Sequence, residues 1–91
     1  MSSSKREQLK QAAKSIEIYS DALCSYETSA KDYLGASKRP KSHYLFLSEK
    51  GYLNNVKNLQ EEAAREEAKA ADMKAKILKQ LVIIGSILKQ K

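Results

Sequence analysis

The chain has no tryptophan, and only one cysteine, one histidine, one proline, one phenylalanine and three glycines among its 91 residues. Each scarcity closes a class of explanation. A single cysteine, Cys24, makes neither an internal disulfide framework nor a zinc site of the usual cysteine pattern. A single histidine, His43, leaves no histidine-based dyad or metal cluster. With so few glycines and a lone Pro40, the turns that an all-β sandwich needs every 8–12 residues are missing. Long apolar runs are missing too. The most apolar window, residues 77–88, holds eight large aliphatic side chains in twelve but is broken by Lys79 and Gln80. That is well short of the ~20 residues needed to cross a bilayer. The N-terminal residues are polar and give no signal-peptide pattern. The expected setting is cytoplasmic, with Cys24 a free thiol.

What is present is periodicity. Leu9, Ala12, Ile16, Tyr19, Leu23, Tyr26, Ala30 and Tyr33 are spaced alternately three and four residues apart, an unbroken heptad pattern. Ser4 followed by Glu7 makes a capping box, because the serine hydroxyl accepts the third free backbone N–H of the helix. Helix 1 is therefore expected over residues 4–34. Gly35 is a stop signal, since glycine adopts the left-handed conformation that closes many helices. Pro40 disfavours helix at Arg39 before it. Residues 35–43 are read as a basic loop carrying Lys38, Arg39 and Lys41.

A second heptad pattern runs through Tyr52, Val56, Leu59, Ala63, Ala70, Met73, Ile77, Ile84 and Ile87, with Glu66 and Gln80 as polar exceptions in register. Its middle is rich in alanine and glutamate, both strong helix formers. Helix 2 is placed over residues 44–91, with Ser42 and Ser48 as alternative caps. The fold class is all-α: a two-helix antiparallel coiled-coil hairpin with a longer second helix, in one domain spanning residues 1–91. Centring the turn near Arg39 pairs residues whose numbers total roughly 78. On that register residues 74–91 overhang the end of helix 1, and they are both apolar and basic. A hairpin this small is short of core, so completion by oligomerisation or a partner chain is expected.

The Tyr33-Leu34-Gly35 turn is placed like the Trp-X-Gly turn of the short helical hairpins secreted by the type VII pathway. The tryptophan is absent, however, and no tyrosine follows Tyr52 to form that family's C-terminal signal, so no family resemblance is drawn.

The functional reading rests on the C-terminal segment. Ile77, Leu78, Leu81, Ile84, Ile87 and Leu88 are the expected partner interface, with Lys74, Lys76 and Lys79 as its charged rim. The chain would then be a non-enzymatic structural or adaptor subunit. Its partners would be itself or another helical chain, with no cofactor, metal or small-molecule substrate. The alternative is a surface-binding module that uses residues 38–41 and 74–91 against an anionic membrane or nucleic acid, with Tyr44 available to stack on a base. The plain readings stand beside these. The basic loop reads first as a solvated turn, the tyrosines at 19, 26 and 33 as seam residues before a recognition stripe, and the block Glu61, Glu62, Glu66 and Glu67 as a solvated face.

Overall fold

The computed structural model describes residues 4–44 and 46–90, which form two long helices packed antiparallel. Helix α1 spans Lys5–Ser37 and helix α2 spans Glu49–Leu88, with one 3₁₀ turn, Lys41–Tyr44, in the connection. The result is a rod of 67 × 19 × 14 Å, two helices wide and one helix deep.

Both helices begin on a serine, for the same physical reason. The first turn of a helix has N–H groups with no partner inside it, and a serine oxygen supplies one. Ser4 Oγ accepts from the Glu7 N–H at 3.1 Å, as the capping box predicts, and Ser48 Oγ accepts from the Gly51 N–H at 3.1 Å. Of the two serines considered for α2, Ser48 is the cap.

Gly35 does not stop α1. The helix continues to Ser37, and no glycine among the described residues has positive φ. The effective stop is Pro40, which restricts Arg39. The Ser37 hydroxyl also turns back to donate to the Leu34 carbonyl at 2.7 Å, satisfying an acceptor at the helix end. Helix α2 starts later than expected, at Glu49, and runs without interruption through Gly51 and Gly85.

These boundaries move the register. Lys69 lies over Tyr26, Lys76 lies over Tyr19, and the Lys5 ammonium donates to the Gln90 carbonyl at 3.0 Å. Facing residues therefore have numbers totalling about 95 to 101 instead of 78. The C-terminal part of α2 is not an overhang: residues 74–88 lie along α1. The surplus length of α2 is at the loop end. There Tyr44 and Tyr52 pack with ring centroids 5.9 Å apart, and the Tyr52 hydroxyl donates to the Arg39 carbonyl at 2.9 Å.

Every residue of both heptad patterns is buried or half-buried, Glu66 and Gln80 included. The fully covered apolar residues are few and small: Ala12, Ala30, Ala63, Ala70 and Ile87, at 2–5 % exposure. Alanine at the contact lets two backbones approach closely, but it withdraws little apolar area from water, ~25 cal/mol per Å² being the return. The seam holds the hairpin together while leaving no deep core.

Candidate assembly interface

The two faces of α2 differ in what covers them. Its inner face, Tyr52 through Ile87, meets α1 or the connection. On its outer surface, Ala64, Ala68, Ala71, Ala75, Leu78, Val82 and Gly85 follow one another at alternating intervals of four and three, a second heptad stripe on the same helix. Leu78 is 63 % exposed and Val82 70 %, with Leu81 and Leu88 exposed beside them. Ala71 and Ala68 border the grooves against α1, whereas Leu78 and Val82 stand clear of the seam. A contiguous apolar patch of this kind marks an interaction surface more often than an idle one.

The six residues expected to form the partner interface divide into two sets. Ile77, Ile84 and Ile87 belong to the hairpin seam, Ile87 closing a groove with Ala12, Ser15 and Gln80. Leu78, Leu81 and Leu88 point outward. Val82 is exposed with them, whereas Ile83, 44 % exposed, borders the groove against Gln8 and Ser15 of α1. The alanine half of the outer stripe lies ahead of the apolar window of residues 77–88, outside the segment that hydropathy marks. The heptad spacing of the four alanines is its one mark in the sequence, and their exposure is seen only in the structure.

The basic residues are likewise divided. Lys74 approaches Glu27 across the helix pair at 3.9 Å. Lys76 pairs with Asp72 at 3.2 Å while its ammonium lies over the Tyr19 ring, and Lys79 is exposed. Lys38, Arg39 and Lys41 are exposed at the loop, far along the rod from these. The two basic zones do not merge into one surface. Tyr44, considered as a stacking group, is half-buried between Tyr52 and Phe46, whereas Phe46 is 84 % exposed.

Charge is banded along the rod. Among the described residues, the open half (5–25 with 73–90) carries a net +5, the middle (26–37 with 58–72) a net −4, and the loop end (38–57) a net +4. In the middle band Glu62 pairs with Arg65, and Glu66 with Lys69 at 3.4 Å, while Glu61 and Glu67 stay exposed.

Among the described residues no cluster of three His, Cys, Asp or Glu side chains is placed to hold a metal ion. Among the described residues, no helix is long and apolar enough to cross a membrane. The grooves are open and shallow. Cys24 is exposed beside Ser20, Glu27 and Lys31, and His43 stands in the 3₁₀ turn at the loop. No family model, curated protein or solved structure matches the chain.

Proposed function

We propose that this chain is a non-enzymatic assembly subunit: a rigid helical hairpin that docks through the outer face of α2 into a larger helical bundle. The observation that carries the reading is the second heptad stripe on α2, with Leu78, Leu81, Val82 and Leu88 left in water. Burying each fully would stabilise an assembly by ~1.5–3 kcal/mol, before the cost of association. The thin alanine seam supports the same reading, since a hairpin with so little covered area gains most from a further helical layer.

Light-scattering mass after size-exclusion chromatography tests it. The wild-type chain is expected above its 10.2 kDa monomer mass, and Leu78→Asp/Val82→Asp at monomer mass with its helical circular dichroism retained. The two side chains do not belong to the seam, so helical content is the control. An assembled mass that the double variant leaves unchanged overturns the reading.

A second reading, binding to an anionic membrane or nucleic acid, draws on the exposed Lys38, Arg39 and Lys41 and on the lysines of the open half. It predicts binding to anionic vesicles or oligonucleotides that collapses as salt rises, whereas apolar packing persists.

A further inference from the structure

The outer stripe of α2 is graded in two properties at once. Toward the middle of the rod its side chains are small, Ala64, Ala68 and Ala71, and the exposed charges beside them, Glu61, Glu67 and Asp72 against Arg65, are net acidic. Toward the open end it carries the large Leu78 and Val82 before closing on Gly85, and the neighbouring charges are lysines, Lys79 and Lys89. A surface that is small and negative at one end, large and positive at the other, is complementary to itself turned end for end.

We propose that the partner is a second copy of this chain, its α2 packed antiparallel against α2 along this stripe, with the two-fold axis passing beside Ala75. The inference rests on the assembly reading above and names its partner and geometry. About that axis Leu78 and Val82 of each copy fall over Ala71 and Ala68 of the other, so large side chains meet small ones, as interdigitated packing requires, and Gly85 falls over Ala64. Asp72 of each copy comes opposite Lys79 of the other, and Glu61 opposite Lys89. Lys74 of both copies also nears the axis, and each is drawn toward Glu27 of its own chain. Parallel pairing in register does the reverse at every band: positive meets positive, the acidic middle meets itself, and the large residues face large ones. A two-fold contact of this kind is also closed, using the same patch on both copies and leaving no unpaired stripe to propagate.

The test combines two independent readouts on the full chain. In a Cys24→Ser background, a spin label at Ala75→Cys is expected within about 15 Å of its counterpart, and one at Glu61→Cys about 40 Å from its counterpart, from 1.5 Å of rise per residue on either side of the axis. Because a label at position 75 sits in the contact, the second readout avoids the stripe. Lys79→Glu alone is expected to weaken self-association about fivefold through its two symmetry-related pairs, and Asp72→Lys/Lys79→Glu to recover it. An assembled chain with short distances at position 61, or a charge exchange that fails to recover association, overturns the antiparallel pairing while leaving the assembly reading intact. A chain that stays monomeric at millimolar concentration overturns self-pairing. An assembly indifferent to Leu78→Asp/Val82→Asp overturns the assembly reading itself.

Discussion

The ammonium of Lys76 lies 5.7 Å from the centroid of the Tyr19 ring, and Lys69 lies 5.7 Å from that of Tyr26. One heptad separates the tyrosines on α1, and one heptad separates the lysines on α2 in the opposite direction. The repeated contact fits the heptad phase of the two helices. A slip by one heptad still leaves Lys69 beside a tyrosine, whereas a slip by three or four residues rotates both lysines away.

The Tyr19–Lys76 contact is a cation on the electron-rich face of a ring at a half-exposed site, where such contacts are worth ~0.5–1 kcal/mol. A double-mutant cycle with Tyr19→Leu and Lys76→Met, read by urea unfolding, should return a coupling of that size. A coupling indistinguishable from zero would leave register to the apolar seam alone.

Ala63 is the most covered apolar residue, at 2 % exposure, and Ala30 and Ala70 face each other across the seam. Enlarging any of the three forces the helices apart. Ala63→Leu should cost ~1–3 kcal/mol in thermal or urea unfolding, the usual penalty of overpacking. Ala13→Leu, on the exposed side of α1, should stay within about 0.5 kcal/mol.

Gly35 is helical, and a Cβ added there would meet nothing within 4 Å. Gly35→Ala therefore removes conformational freedom from the unfolded chain without strain in the folded one. It should stabilise by ~0.4–1 kcal/mol, a rise of a few degrees in melting temperature. Gly51 is the contrasting case, because its Cβ would stand 3.2 Å from the Ser48 Oγ that caps α2. Gly51→Ala should gain less, and scanning calorimetry of the two variants separates them.

The connection is held to α2 by the Tyr52 hydroxyl on the Arg39 carbonyl. Tyr52→Phe removes the donor and keeps the ring against Tyr44. The expected loss is ~0.5–1.5 kcal/mol, concentrated in the loop, so limited trypsin digestion after Lys38 and Lys41 should quicken several-fold while the helices persist. Unchanged cleavage would show that ring packing alone anchors the loop.

The seam was readable from spacing because heptad position decides burial in a two-helix contact. Leu9 through Tyr33 and Tyr52 through Ile87 are covered wherever the pattern puts them, even where the residue is Glu66 or Gln80. The register was not readable, for two reasons that the residues make plain. A mid-helix glycine costs only ~1 kcal/mol against alanine, so Gly35 punctuates weakly and α1 ran on to Ser37. The aromatic residues near position 45, which look like the start of a helix, belong to the connection because Tyr44 packs back on Tyr52. Those two shifts moved the turn by about ten residues and turned an expected overhang into paired helix. The exposed apolar residues Leu78, Leu81 and Leu88 were legible from composition. Their continuation through Ala75 to Ala64 was not, because alanine carries no hydropathy signal strong enough to distinguish an interface from a helix surface.

An antiparallel hairpin also orders its contacts by the length of chain they enclose. Near the loop, Tyr52 and Arg39 are 13 residues apart, while at the open end Lys5 and Gln90 are 85 apart. Closing a longer loop costs more entropy, and each contact nearer the loop shortens the segment left free for the next. The hairpin should therefore zip from the loop outward and unzip from the open end inward. Amide protons of Leu9 and Ile84 should exchange sooner than those of Ala30 and Ala70, in a gradient along the rod. The fraying end is the one that carries Val82 and Leu88. Anything that clasps that end closes the last part of the zipper, so occupancy of the outer face and rigidity of the inner seam should rise together.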